Sequence, residues 1–462
     1  MSARHDSLSL SQTKRAEENR MAPSSDLCVK SHSSVDRVLH IAGAPIKAIT
    51  ASYGTPVFVY DGSMLDQKWN LLRKTFPPEF DISYSVKANP NPAILRFFLS
   101  KGCGLEIASG GELHLALKAG CPAEKILFAG PGKSEVELEF ALSHGVGEIH
   151  GESSLELERI SAISRKLGLR ARIAIRVNPS EEAQGGAMRM GGKPTPFGID
   201  EEKIDSVIER IVSDPSLEFR GIHLFTGTQI LDHTVLIRQY RKGIEIALRV
   251  AGKLKRPMRT LDFGGGMGIP YFPNEKDLDM ESLREQIATL MLEVRREPLL
   301  VGTHFMLEPG RYLVGEAGVY VVRITDMKTS RGKKYFIVDG GMNHHLAASG
   351  NLGQVIKKNF PIAILNKMGD EPREKVDVVG PLCTPLDVLA RDVDLPAAEV
   401  GDLIGIFQSG AYARTASPLG FLSHPTPPEI LIQNGRAHLI RRRGTYEDLM
   451  RDSCELVRNV DG

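Results

Sequence analysis

Lys87 is the side chain best placed by its context to bond covalently to a carbonyl. It stands in Ile82-Ser83-Tyr84-Ser85-Val86-Lys87-Ala88-Asn89-Pro90, where β-branched and aromatic residues alternate with small polar ones until an Asn-Pro turn signal. A lysine on an exposed strand is ordinarily a solvated charge. One in the last residues of a strand, before a loop, can point into a site and offer an amine for a Schiff base. Gly264-Gly265-Gly266-Met267-Gly268 would let backbone amides approach an anion, because glycine admits unusual dihedrals with no side chain in the way. It is not a dinucleotide fingerprint, since Ile269 stands three residues beyond Gly266 and Tyr271 three beyond Gly268. Gly130-Pro131-Gly132-Lys133-Ser134 imitates a phosphate loop, yet Leu127 occupies its first glycine position. A plain structural turn is the alternative for both runs. Glu308-Pro309-Gly310-Arg311 sets a carboxylate near a guanidinium, which on a surface would be an ordinary salt bridge. A lysine for an imine, glycines for a phosphate and a carboxylate for a ring nitrogen together specify pyridoxal phosphate as cofactor.

These residues need a scaffold that gathers them. From Ile82 onward eight short apolar runs recur, at 82–88, 104–108, 126–129, 147–150, 171–177, 219–225, 259–263 and 303–308. Segments at 111–117, 155–167 and 204–211 between them carry apolar residues at three-to-four spacing. Eight strand–helix repeats predict an α/β fold, a closed (β/α)8 TIM-type barrel, with an open doubly wound sheet as the alternative. In such a barrel function lives at the C-terminal strand ends. There stand Lys87, Glu106 to Glu112, the Gly130 turn, Arg176-Val177-Asn178-Pro179, His223 to Gln229, Asp262 to Gly268, and Glu308 to Arg311.

After Arg311 the texture turns strand-like at 319–324, 334–338, 374–379, 402–407 and 428–432, with Gly and Pro breaks between. The reading is a leading segment at 36–61 whose strand at 55–61 joins the β domain, a barrel at 62–312, and a C-terminal β domain at 313–462. Residues 1–35, rich in Ser, Lys and Arg, are expected to be a disordered tail. With 58 basic and 57 acidic residues among 462, no bulk field favours nucleic acid or an anionic membrane. No apolar run suits a membrane span or a secretory signal, so a cytoplasmic protein is expected. Five scattered cysteines without CxxC spacing indicate neither a metal site nor a disulfide framework.

With those residues assembled, the sequence resembles the fold-type III pyridoxal-phosphate decarboxylases, the group of diaminopimelate, ornithine and arginine decarboxylases, over about residues 55–452. The motifs that carry the likeness are Tyr84-Ser85-Val86-Lys87-Ala88-Asn89, Ser109-Gly110-Gly111-Glu112, the run at 264–268, Glu308-Pro309-Gly310-Arg311, Gly380-Pro381-Leu382-Cys383 and Gly410-Ala411-Tyr412. The resemblance implies an alanine-racemase-like barrel plus β domain, paired head to tail as a homodimer with shared active sites. It makes Lys87 the Schiff-base lysine and Glu308 the partner of the pyridine nitrogen. Thr228, Gly265, Gly266, Gly310, Arg311 and Tyr412 would surround the cofactor, largely at its phosphate. Cys383 would enter from the partner subunit as a proton donor; taken alone it would be a buried structural cysteine.

Departures from the pattern bear on substrate. Phe225 stands where the family commonly places a histidine stacked on the pyridoxal ring, and it can stack but not titrate. Thr384 follows Cys383 where decarboxylases of free diamino acids have an acidic residue. Ala347 and Asn351 occupy positions where diaminopimelate decarboxylases hold an arginine and a tyrosine. Each lost charge-assisted contact is worth about 1.5–3 kcal/mol. Residues 190–200 and 344–351 instead resemble a branch with glutamyl-carrier-protein, siderophore-pathway and exosortase-associated decarboxylases. Arg311, His344, His345, Thr384 and Asp387 are the substrate-side candidates. The expected activity is removal of an α-carboxylate from an amino acid or derivative, free or attached to a carrier protein. Alternatives are decarboxylation of free diaminopimelate, ornithine or lysine, amino-acid racemization, and a non-catalytic regulator that binds the cofactor.

Overall fold

The structure, a computed structural model, describes residues 32–180, 188–189, 194–354, 357–372 and 374–454. The tail through residue 31 and residues 190–193 of the quoted motif lie outside the described residues. The described residues open with β1 (Ser33–Val35), β2 (Val38–Ile41), β3 (Ala44–Pro45), α1 (Ile46–Tyr53) and β4 (Val57–Asp61). The ordered leading segment thus starts earlier than residue 36, because Ser33 to Val35 pair with Val38 to His40. The next units are α2 (Gly62–Thr75), β5 (Phe80–Ser85), α3 (Pro92–Leu99), β6 (Gly104–Ile107), α4 (Gly110–Ala119), β7 (Ile126–Phe128), α5 (Glu135–Ser143), β8 (Glu148–Gly151), α6 (Ser154–Leu167) and β9 (Ala171–Asn178). They continue through β10 (Met188–Arg189), β11 (Ile199–Asp200), α7 (Ile204–Ser213), β12 (Leu217–Leu224), β13 (Gly227–Thr228), α8 (His233–Leu254), β14 (Thr260–Asp262), α9 (Met280–Val294), β15 (His304–Leu307) and α10 (Arg311–Val314).

Parallel pairing runs β5-β6-β7-β8-β9-β12-β14-β15 and returns to β5, so the sheet closes on itself with eight strands. Each of the eight apolar runs supplies one of them. Most residues of these strands are buried, including polar ones such as Ser85, Glu106, Glu148, His150 and His223 that point into the barrel interior or its site. Short polar side chains start the helices by accepting from exposed amides: Asp61 for Ser63 and Met64, Ser109 for Glu112, and Ser134 in a reciprocal box with Glu137. Lys87 lies one turn beyond the strand rather than in it, because the ladder ends at Ser85 and Val86 to Ala88 curl into a 3-10 turn.

The second domain is organised on the long β16 (Gly318–Ser330), which pairs antiparallel with β4, β17 (Lys333–Val338) and β21 (Leu403–Ile406). Between the last two stand β18 (Ile362–Ile364), β19 (Glu374–Val379) and β20 (Val388–Leu395), and β22 (Glu429–Gln433) and β23 (Arg436–Arg441) follow. Three strands escape the sequence pattern. β18 is only three residues long, β20 ends in alternating charges, and β23 is largely exposed. The domains are stitched beside Lys87: Tyr412 N donates to Ala88 O at 2.9 Å, Asn89 Nδ2 to Gly410 O at 3.2 Å, and Gln408 Nε2 to Pro270 O at 3.0 Å.

Candidate active site

Where the strand ends of the barrel meet Ala347, Leu352 to Gln354, Phe360 and residues 411–412 of the β domain lies a cavity of about 520 Å³. Its barrel side presents Lys87, Glu106, Arg176, His223, Phe225, Thr228, Glu308 and Arg311, and Tyr412 closes it from the other domain. Of the nine cofactor candidates read from sequence, Lys87, Phe225, Thr228, Glu308, Arg311 and Tyr412 line it; Gly265, Gly266 and Gly310 stand in the loops behind.

Lys87 Nζ donates to both carboxylate oxygens of Glu106 at 3.0 Å, and Ser85 Oγ holds Glu106 Oε2 at 2.5 Å. The barrel register sets Ser85 directly beside Glu106, so the carboxylate is positioned by the ladder itself. Burial lowers the Lys87 ammonium, but Glu106, Tyr412 and Glu308 outweigh it and leave it above its ordinary value. The ammonium is therefore the resting form, and Glu106 is the base within reach of its proton. Glu112, half-buried and facing the Glu106 charge, is pushed up to about 7 despite the Ala108 amide it accepts at 2.7 Å.

Glu308 is 5% exposed at the end of β15, with its amide donating to Gly264 O at 2.8 Å. Burial opposes its charge, yet His223, His150 and Lys87 together hold it below the ordinary carboxylate range. The glycine run passes close beside it: a Cβ at Gly265 would meet Glu308 O at 2.4 Å. Gly266 adopts φ +97°, and a Cβ there would meet Gly227 O at 2.8 Å. Arg311 Nη1 donates to the Tyr271 hydroxyl at 2.7 Å, and the guanidinium sits 4.8 Å from the Tyr412 ring centroid.

These residues fit pyridoxal phosphate. Glu308 Oε1 and Arg311 Nε are buried polar atoms without a hydrogen-bond partner, an acceptor for a ring N–H and a donor for an anion. Lys87 supplies the amine. Phe225 gives an aromatic face, with Arg176 5.9 Å from its ring centroid and held on its far side by Glu152 at 2.8 Å.

The other sequence candidates fall elsewhere. Cys383 is exposed and Thr384 half-exposed, and neither lines this chain's own cavity. The structure corrects the substrate role expected of His344, His345 and Asp387, which are buried inside the β domain. His344 Nδ1 meets Tyr320 OH at 3.1 Å and His345 Nε2 meets Ser409 Oγ at 2.9 Å, and burial drives both imidazoles down to about 3. Asp387 accepts from the Met342 and Leu382 amides at 2.6 and 2.8 Å, a brace for its own loop. Ala347 does line the cavity, whereas Asn351 is bonded to Ser349 and Lys357. Sequence reading assigned no role to Glu106, His150, His223, Arg176 and Glu275. A charged or imidazole side chain at a buried strand end was the available signal for the first four.

The family model for the pyridoxal-dependent decarboxylase, pyridoxal binding domain, matches residues 63–315. The L-glutamyl-[BtrI acyl-carrier protein] decarboxylase of Niallia circulans is 39% identical over 425 residues, covering 91% of this chain and 99% of that relative. A diaminopimelate decarboxylase of Aquifex aeolicus is 33% identical over 425 residues, covering 91% and 97%. The crystal structure of diaminopimelate decarboxylase from M. jannaschii superposes with a TM-score of 0.85 at 27% identity, covering 92% of this chain and 98% of that one. The chain belongs to the pyridoxal-dependent decarboxylases and is a carboxy-lyase of that family.

Proposed function

We propose that this decarboxylase removes the α-carboxylate of a glutamyl-type substrate whose far end is neutral, as when it is joined to a carrier protein. The far wall of the cavity carries the reading. Among the described residues it is made of Ala347, Leu352, Gly353, Gln354, Phe360, Tyr271, Phe272 and Glu275, with no cation in that part of the lining. Of the two guanidiniums that line the cavity, Arg176 is engaged by Glu152, and Arg311, bonded to Tyr271, has its unpartnered Nε committed to the cofactor's anion. A free distal carboxylate would lose its hydration there without a charged partner, and a thioester or amide would not. The 39% identical relative, by its name, acts on a carrier-bound glutamyl group.

Bound pyridoxal phosphate supplies the electron sink that allows the carbon–carboxylate bond to break. The chain's own residues do the rest. Lys87 provides the amine, Glu106 takes its proton, and Glu308 keeps a charge opposite the ring nitrogen. Cys383, exposed and not part of its own cavity's lining, is supplied by the partner of a homodimer as the proton donor.

One observation favours a second reading. Glu275 lines the cavity and spends Oε2 on the Tyr271 and Phe272 amides at 2.8 and 3.2 Å, leaving Oε1 for a distal ammonium. Measuring CO2 release from carboxyl-labelled lysine, ornithine, diaminopimelate and a γ-glutamyl thioester separates the two. Turnover of the thioester with little from the free diamino acids supports the neutral-end reading. Efficient turnover of lysine or ornithine, lost in Glu275→Gln, contradicts it.

A further inference from the structure

Directly beneath Glu308 the barrel interior holds titratable groups that no step above uses. His150 and His223 stack with ring centroids 4.3 Å apart and planes 25° from parallel. His223 Nε2 stands 3.2 Å from Glu308 Oε2, and His150 Nδ1 stands 3.9 Å from Glu308 Oε1. On its other edge His150 Nε2 lies 3.3 Å from Glu148 Oε1 and 3.9 Å from Asp262 Oδ2. Glu148 is anchored by the Thr260 hydroxyl at 2.7 Å, and Asp262 by the Gly264 amide at 2.7 Å. All five side chains are at most 4% exposed.

Three carboxyl groups and two imidazoles sealed from water cannot all be ionised, since each unbalanced buried charge is heavily penalised. The other charges near them, Lys87 and Arg176, already serve Glu106 and Glu152. The protons must therefore be divided inside the cluster. Burial and the Glu308 charge push Asp262 well above its ordinary range, which favours its protonated form. Burial draws His223 down to about 4, which leaves it a neutral imidazole able to present one N–H to Glu308. Groups whose surroundings drive them apart in this way take separate roles.

We propose that His223, stacked on His150, is a positioning residue that keeps Glu308 ionised and aimed at the cofactor's ring nitrogen independently of the outside pH. The inference rests on the reading that Glu308 meets that nitrogen. The stack fixes the tilt of the His223 ring, and the barrel register fixes its height by pairing His223 with Asp262 on one side and Arg176 on the other.

The test is titration of the apoprotein with pyridoxal phosphate, read by absorbance across pH. His223→Leu removes the N–H but keeps the volume, and His223→Gln replaces it with an amide donor. Losing the imidazole nitrogen that stands 3.2 Å from the Glu308 carboxylate should weaken cofactor binding about tenfold or more in His223→Leu. It should also make the bound-cofactor spectrum pH-sensitive, where the wild type is flat. His223→Gln should recover most of both effects. Equal losses in the two variants, or a His223→Leu protein that binds and titrates like wild type, would overturn the proposal. Glu308→Gln tells the two claims apart. If it leaves affinity and spectrum unchanged, the Glu308 reading itself fails; if it alters them while His223→Leu does not, only the role of His223 fails.

Discussion

On the barrel side of the cavity almost every functional atom is held by another: Lys87 by Glu106, Glu106 by Ser85, Arg176 by Glu152, with Glu308 over a stacked pair of histidines. On the opposite side stand Ala347, Leu352, Gly353 and Phe360, side chains that contact a substrate without demanding a particular charge from it. The first surface rests on strand ends whose positions the closed ladder dictates. The second is carried on loops between strands of the β domain. Chemistry has been placed where the backbone is least free to move, and substrate choice where loops can change without disturbing it.

The contrast can be broken most severely at Lys87. Lys87→Ala should abolish CO2 release and remove the visible absorbance of covalently held cofactor; turnover at the wild-type rate would show that the barrel side is not the seat of chemistry. Cys383→Ala comes next, with an expected loss of about 10²–10⁴-fold, the range for a positioned proton donor. Because Cys383 does not line its own chain's cavity, mixing the inactive Lys87→Ala and Cys383→Ala proteins should regenerate activity through mixed dimers. No recovery, with subunit exchange confirmed, would place both residues in one chain's site.

The far wall is sharpened by Ala347→Arg. One new charge-assisted contact of about 1.5–3 kcal/mol should raise kcat/KM for diaminopimelate roughly tenfold to a hundredfold, and depress turnover of a neutral-ended substrate. The smallest effect concerns stability. Glu112 has a folded value of about 7, above its ordinary one, so the folded state binds the extra proton. Its contribution is complete below the unfolded value and is lost as pH rises towards 7. The thermal midpoint should fall over that interval in the wild type and fall less in Glu112→Gln, as checked by calorimetry at several pH values.

The barrel was legible because its strands are mostly buried and announce themselves as apolar runs. β18 and β23 were not, being short or exposed and held by neighbours distant in sequence. Lys87, Glu308 and the glycine run were readable since each follows directly from a strand end. His344 and His345 misled because a polar pair in a loop-like stretch looks the same whether it faces a ligand or, as here, Tyr320 and Ser409. The His150 and His223 stack joins strands 73 positions apart in sequence, and only closure of the barrel reveals it.

The most direct measurement offers the protein equal concentrations of glutamate loaded on an acyl-carrier protein and free diaminopimelate, and follows each by mass spectrometry. A barrel side built for α-decarboxylation and a far wall without a lining cation predict loss of CO2 from the loaded carrier, with diaminopimelate largely intact. Rapid conversion of diaminopimelate to lysine, with the carrier untouched, would contradict that account of the far wall.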